Sequence, residues 1–189
     1  MRISIITVAF NAARTIADTL ESVAAQTHPE IEHIVVDGAS TDSTLEIIES
    51  HRKHISRLIS EPDQGIYDAM NKGLASATGE VIGFLNADDV YADNGVLERV
   101  SSNMARDDLD ALFGDAEFVS PTRPNRLLRC YRSKHFRPDR IAWGWVPAHP
   151  ALFLRRRVYE GFGPFRIDYR IAGDFELVAR IFHGGTPSI

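Results

Sequence analysis

The four residues Asn86-Ala87-Asp88-Asp89 follow directly on the apolar run 81–85. Two adjacent carboxylates at the end of a buried strand repel each other and are costly to hold unless a positive charge neutralises them. A divalent cation that also binds a diphosphate would do so. Magnesium typically takes one or two protein carboxylates and leaves its remaining positions to phosphate oxygens and water. The plainer alternative is a turn in which an aspartate caps the next helix. The position at a strand end, with other acids at neighbouring strand ends, favours the metal reading over the cap.

Three further segments carry polar residues of the right kind. In Asp37-Gly38-Ala39-Ser40-Thr41-Asp42, glycine permits a tight turn and Ser40 or Thr41 can open a helix. Ser40 and Asp42 are read as capping residues. The Asp37 carboxylate could instead accept hydrogen bonds from a nucleobase N–H or a ribose hydroxyl. In Glu61-Pro62-Asp63-Gln64-Gly65-Ile66-Tyr67-Asp68-Ala69-Met70-Asn71-Lys72-Gly73, the side chains of Asp68, Asn71 and Lys72 share one side of a helix. They form either a surface salt bridge, worth little, or part of the lining of a nucleotide pocket. Gly173-Asp174-Phe175-Glu176 opens a final helix, where acids are favoured by the helix dipole alone. A carboxylate there could also act as a general base, taking the proton that a hydroxyl must lose when it attacks a carbon centre. Trp143, Trp145 and His149 precede it, either as rings that stack on a sugar or as core. Arg155-Arg156-Arg157 reads as a solvated face rather than a phosphate clamp. GxGxxG, the P-loop lysine motif, GxSxG and HExxH are all absent.

The elements that must position these residues alternate through the first half. Strands are expected over 3–8, 31–37, 55–60, 81–85 and 111–119. Helices are expected over 13–26, from Ser40 or Thr41 to about His51, over 66–77 and around 96–104. The helix over 66–77 is expected to bury Ile66, Ala69, Met70 and Gly73. Such an order predicts an α/β fold: a mainly parallel, Rossmann-like sheet with helices on both faces. Ligands of such sheets bind outside the carboxyl ends of the strands. Thr7 and Ala9, Asp37, Asp63, and Asn86 to Asp89 all fall at those ends. The second half, broken by Pro121, Pro124, Pro138, Pro147 and Pro150 and rich in arginine, reads as an irregular excursion with a short strand near 127–131 and a last helix over 173–183.

The 189 residues fit one domain, read as two halves over about 1–120 and about 121–189. A net charge of −5 gives no reason to expect nucleic acid, and one cysteine, Cys130, permits no disulfide within the chain. With no signal-peptide pattern and no apolar run long enough to span a bilayer, the expectation is a cytoplasmic protein that can rest on the inner face of a membrane.

Taken in order, these segments resemble glycosyltransferase family 2, most closely its bacterial polysaccharide-synthesis branch. The matching stretches begin with Ile5-Ile6-Thr7-Val8-Ala9-Phe10-Asn11 and Val36-Asp37-Gly38-Ala39-Ser40-Thr41-Asp42. The long segment from Glu61 to Gly73 and Gly83-Phe84-Leu85-Asn86-Ala87-Asp88-Asp89 follow. His149-Pro150-Ala151-Leu152-Phe153-Leu154-Arg155-Arg156 and Ile171-Ala172-Gly173-Asp174-Phe175-Glu176-Leu177 complete the set.

The resemblance implies a GT-A type fold, a nucleotide-diphosphate-sugar donor, Mg2+ or Mn2+, and inversion at the anomeric carbon. The acceptor would be a saccharide or a lipid-linked molecule. By motif position, Asp37 and the backbone near Thr7 and Ala9 would meet the nucleobase, and Asp63, Asp68, Asn71 and Lys72 would line the donor site. Asp88 would bind metal, Asn86 the ribose or diphosphate, and Asp174 would be the base. Trp145 and His149 would lie on the acceptor side. Family members commonly continue past the position of Ser188-Ile189, which implies further acceptor-side segments. Two other readings are a non-catalytic nucleotide-sugar-binding scaffold and a sugar nucleotidyltransferase. The second would require a glycine-rich loop after the first strand, where this chain has Ala9-Phe10-Asn11-Ala12-Ala13-Arg14.

Overall fold

A computed structural model of the chain describes residues 1–120 and 123–184. Pro121, expected to break the second half, and the chain end at Ser188-Ile189 lie outside the described residues. The elements run β1 (Ile3–Ala9), α1 (Ile16–Ala24), β2 (Ile31–Asp37), α2 (Thr44–Ser50), β3 (Arg57–Ser60), α3 (Ile66–Ser76), β4 (Val81–Phe84) and α4 (Val96–Arg106). The second half adds β5 (Ala111–Phe113), β6 (Ala116–Ser120), β7 (Arg123–Tyr131), β8 (Leu152–Arg155), α5 (Arg156–Phe162) and α6 (Gly173–Gly184), with short 3₁₀ turns between β7 and β8.

The main sheet has the order β3-β2-β1-β4-β8-β5. β3, β2, β1 and β4 are parallel, and β8 runs antiparallel between β4 and β5. Every residue of β1 is buried, as expected of a central strand covered on both faces. Its alternate side chains feed opposite layers. Ile6 and Val8 pack with residues of α3, α5 and α6, whereas Ile3 and Ile5 pack with α4 residues Leu97, Val100 and Met104. Helices α1 and α2 complete that second layer through Ile16, Leu20 and Ile48. Among the described residues no helix is long and apolar enough to cross a membrane.

Several expectations need correction. The strand over 111–119 is two strands: β5 belongs to the main sheet, while β6 leaves it to pair with β7 in a separate ribbon. Gly114 and Asp115 make the break, and the Asp115 carboxylate accepts from both the backbone N–H and the hydroxyl of Ser133. Helix α2 starts at Thr44 rather than near Ser40, because the residues before it are spent on loop contacts described below. Ala69, Met70 and Gly73 of α3 are buried as expected, but at its start Ile66 is 45% exposed and Tyr67, only 8% exposed, takes its place. The segment 152–162, read as irregular, supplies β8 and α5. Arg155 and Arg156 are not a solvated face. Arg156 donates to the carbonyls of Ala77 (2.7 Å) and Gly79 (3.0 Å), and Arg155 to that of Leu109 (2.7 Å), so both pin β8 in the sheet.

Two buried features define how tightly this core is built. A Cβ on Gly73 would collide with Ile6 Cγ2, so the α3 backbone lies directly on β1. His33, buried in β2, pairs its Nε2 with Thr7 Oγ1 at 3.0 Å, and burial pushes its imidazole down to about 3. Substituting Gly73→Ala is expected to cost roughly 1–3 kcal/mol of overpacking, less the ~1 kcal/mol by which alanine favours a helix, measured by urea unfolding. In the unfolded chain His33 titrates near about 6.5. The unfolded state therefore binds the extra proton between about pH 6.5 and about 3, and stability is lost as pH falls through that window. A His33→Gln chain is expected to show a shallower acid decline than the native chain in the same titration.

Candidate active site

Because β1 to β4 are parallel, their carboxyl ends open on one edge of the sheet. The register sets Ala9 beside Asp37 and Asp37 beside Ser60. Asp37 is fully buried, yet its carboxylate is well supplied: it accepts from the Ser40 N–H and, at 2.8 Å, from the Ser60 hydroxyl. Gly38 follows, its N–H donating to the Ala9 carbonyl at 2.9 Å. Asp63 lies against the place where a Gly38 Cβ would stand, so the two strand-end acids 37 and 63 flank one glycine turn. Asp63 is itself held by the Gly65 N–H at 2.8 Å.

The loops after β1 and β2 are laced together. Asn11 N donates to Ser40 Oγ (2.9 Å), Ala12 N to Thr44 Oγ1 (2.7 Å) and Ala13 N to Asp42 (3.2 Å), while Thr41 N donates back to Asn11 Oδ1 (2.9 Å). Asn11 and Ala39 both take positive φ to make these contacts. Ser40 and Asp42 thus serve the backbone, as read from the sequence. The hydrogen bonds to Thr44 and Ala13 hold the exposed Asp42 carboxyl below its ordinary range.

The acidic turn comes straight off β4. Asp88 is exposed and Asp89 half-buried. Burial first, and the Asp88 charge second, push the Asp89 carboxyl up to about 6, against hydrogen bonds from Asn86. Asn86 Oδ1 is shut off from solvent with no hydrogen-bond partner among the described residues. An unpartnered acceptor and two carboxylates that oppose each other's charge fit a hard divalent cation. Among the described residues no group of three or more His, Cys, Asp or Glu gathers around a common point. A zinc-type site supplied wholly by the protein is therefore not formed by these residues, whereas a magnesium- or manganese-type site that takes its other ligands from phosphate and water suits them.

Helix α3 stands between this edge and the second half of the chain. On one side Lys72 pairs with Glu61 at 2.9 Å and with Asp68 at 3.7 Å, and donates to the Pro62 carbonyl. Asp68 accepts from the Gln64 N–H at 3.0 Å. These contacts fix the segment that carries Asp63. On the other side, Asn71 spends its amide on the backbone of Phe165, donating at 2.8 Å to the carbonyl and accepting at 2.9 Å from the N–H. Tyr67 stacks on the Phe165 ring at 5.7 Å and donates its hydroxyl to Asp174 Oδ1 at 3.2 Å.

His149 packs its ring between Phe84, at the end of β4, and Phe165, at 5.5 and 5.9 Å. Burial lowers its imidazole below the ordinary range, although the Asp174 charge pulls the other way. His149 Nε2 has no hydrogen-bond partner among the described residues. Trp143 and Trp145 are not core. They are 83% and 43% exposed and line a cleft of about 350 Å3 with Asp139 and Arg140.

The structure thus gathers Asp37, Asp63, Asn86 and Asp88 at one sheet edge and links that edge through α3 to Asp174 and His149. The Thr7 side chain turns into the core toward His33, so it is backbone that this region offers, beside the buried Ala9. One expectation takes a different form: the Asn71 amide is committed to Phe165 rather than free for a nucleotide. Tyr67 and Phe165 were not singled out from sequence. Tyr67 stood inside the quoted segment, three residues before Met70 and six before Gly73, and its buried side was the available signal.

The model of glycosyl transferase family 2 matches residues 4–169. The chain is 34% identical over 189 residues to a PGL/p-HBAD biosynthesis glycosyltransferase of Mycobacterium bovis, covering 95% of this chain and 69% of that protein. It is 31% identical over 182 residues to an uncharacterized glycosyltransferase of Mycobacterium tuberculosis, covering 94% of this chain and 68% of that one. Among solved structures, Staphylococcus aureus TarS 1–349 in complex with UDP superposes with a TM-score of 0.78 at 22% identity, over 96% of this chain and 55% of that 1–349 chain. The mannosyltransferase PcManGT of Pyrobaculum calidifontis, with GDP-Man and Mn2+, superposes with a TM-score of 0.73 at 22% identity, over 95% and 51%. The chain spans about half the length of these two solved structures. A family model that covers most of the chain, on a mainly parallel sheet whose acids meet at one edge, establishes that the chain belongs to glycosyl transferase family 2.

Proposed function

We propose that the protein is an inverting glycosyltransferase. It moves a sugar from a nucleotide-diphosphate donor to a hydroxyl of a saccharide or lipid-linked acceptor in the synthesis of a surface glycoconjugate. The observation that carries this reading is the meeting of two acidic groups across α3: the strand-end set Asp37, Asp63, Asn86 and Asp88, and Asp174 on the other side. The bound UDP of TarS and the GDP-Man and Mn2+ of PcManGT support a nucleotide-sugar donor. The part of the Mycobacterium bovis relative in PGL/p-HBAD biosynthesis supports a glycolipid or cell-envelope acceptor.

In this reading Asp37 and the backbone around Ala9 receive the nucleobase, and Asp63 lies beside them. Asp88 would hold Mg2+ or Mn2+ with Asp89 in support beside it, and Asn86 would meet the ribose or diphosphate. The cation supplies charge neutralisation to the departing diphosphate. The acceptor hydroxyl oxygen attacks the anomeric carbon from the face opposite the diphosphate, and its proton passes to an Asp174 carboxylate oxygen. The bond from the anomeric carbon to the diphosphate oxygen breaks, and the nucleoside diphosphate leaves with the electron pair. A single displacement inverts that carbon. His149, kept neutral by burial, borders Asp174 without adding a second charge. Trp143 and Trp145 offer flat apolar faces on which an acceptor sugar can stack, with Asp139 and Arg140 as polar partners.

Two measurements test this reading. Calorimetric titration with UDP and with GDP should show binding that requires Mn2+, and Asp88→Asn should weaken it at least about tenfold, about 1.4 kcal/mol. No binding of either nucleotide in the presence of Mn2+ would sink the donor assignment. Asp174→Asn should keep nucleotide binding while turnover falls by roughly 10²- to 10⁴-fold, the usual contribution of a general base. Unchanged turnover would refute Asp174 as the base.

A further inference from the structure

Asp174 sits in the first turn of α6, two residues after Ala172, a non-glycine residue at φ 63. An aspartate in that place ordinarily has free rotation in solvent or folds back onto the first helical N–H groups. Here a residue from a distant helix reaches it. The Tyr67 hydroxyl accepts from the Gly173 N–H at 2.8 Å and donates to Asp174 Oδ1 at 3.2 Å.

The two bonds fix each other. A phenol carries one proton, so with an N–H pointing at its lone pair from Gly173, that proton is directed to Asp174. Burial, and then the Asp174 charge, raise the Tyr67 phenol, which keeps it a donor at working pH. The ring itself has little freedom. It stacks on Phe165 at 5.7 Å and 20°, and Phe165 is gripped on both backbone polar groups by Asn71, one helical turn along α3. From the other side Gly173 closes the slot: a Cβ there would lie 2.7 Å from the ring. A glycine at the helix start, a tyrosine and an asparagine four apart, and a phenylalanine clamped between them form one fitted unit.

We propose that Tyr67 is the positioning residue for Asp174, holding one carboxylate oxygen so that the other faces the acceptor hydroxyl. The proposal rests on the reading of Asp174 as the base. The same helix carries Asp68 and Lys72, which fix the segment of Asp63. The donor edge and the base are therefore set by one rigid body, and their separation does not depend on the loops between them. A carboxylate mis-set by about an ångström forfeits up to roughly 100-fold in rate while leaving the donor site intact.

The test measures nucleoside diphosphate released from UDP-N-acetylglucosamine and GDP-mannose with Mn2+, in water and with a panel of sugar and lipid-linked acceptors. The variants compared are Tyr67→Phe, Gly173→Ala and Asp174→Asn. Phenylalanine keeps the ring stack and removes only the hydroxyl, whereas alanine at 173 pushes the ring off its place from the opposite side. Both should lower kcat by roughly 10- to 100-fold, with donor KM close to that of the native chain. A fall in kcat accompanied by an equal rise in donor KM marks a purely structural role and overturns the proposal. So does native kcat in Tyr67→Phe, or in Gly173→Ala if Tyr67→Phe does not fold, while Asp174→Asn is inactive. If Asp174→Asn itself retains native kcat, the base assignment fails and the proposal falls with it.

Discussion

Helix α3 lies so close on β1 that the position over Ile6 accepts no side chain, and much of the site follows from that approach. A helix resting backbone-to-strand has little freedom to shift or roll, because protein interiors are packed at crystal density and tolerate few voids. Its polar side then stands at a set height above the carboxyl ends of the strands. Lys72 and Asp68 fasten the segment after β3, and Tyr67 and Asn71 reach the other way to Asp174 and Phe165. One helix therefore sets the distance between the acidic edge and the carboxylate proposed as the base.

The charge at that edge is managed differently from place to place. Asp37 is buried but satisfied by the Ser40 N–H and the Ser60 hydroxyl. Asp89 is not satisfied in the same way, and its raised carboxyl records the cost of burial beside Asp88. Asn86 leaves an acceptor without a partner among the described residues. Buried polar groups are nearly always paired, so an unpaired one at a strand end is informative. The unmet demand falls on the turn assigned to the cation and diphosphate, while the neighbouring loops, laced by Asn11, Ser40 and Asp42, have their polar groups met.

The second half contributes more order than its proline and arginine content suggests. β8 slots antiparallel between β4 and β5, and Arg155 and Arg156 hold it there by donating to backbone carbonyls of neighbouring turns. That insertion carries His149 against Phe84, at the end of β4 and directly beside the acidic turn. The exposed pair Trp143 and Trp145 lies in the same connection, outside the packed core.

Much of the donor edge was legible in the residues alone. Alternating apolar runs and helical stripes dictate parallel strands, and parallel strands must release their carboxyl ends on a common edge, so Asp37, Asp63 and Asn86 to Asp89 are neighbours by connectivity. Local turn chemistry likewise marked Ser40 and Asp42 as backbone partners. Local periodicity reports which side of a helix is apolar only to within a residue, which is why Ile66 stood in for Tyr67. It carries no information about a partner far along the chain. The bond from Tyr67 to Asp174 spans 107 positions and the clasp of Asn71 on Phe165 spans 94. Such contacts are chosen by how the second half packs back on the first, through shape and hydrogen-bond satisfaction. Only the tertiary structure decided that the helix beside the nucleotide edge also holds the carboxylate assigned as the base.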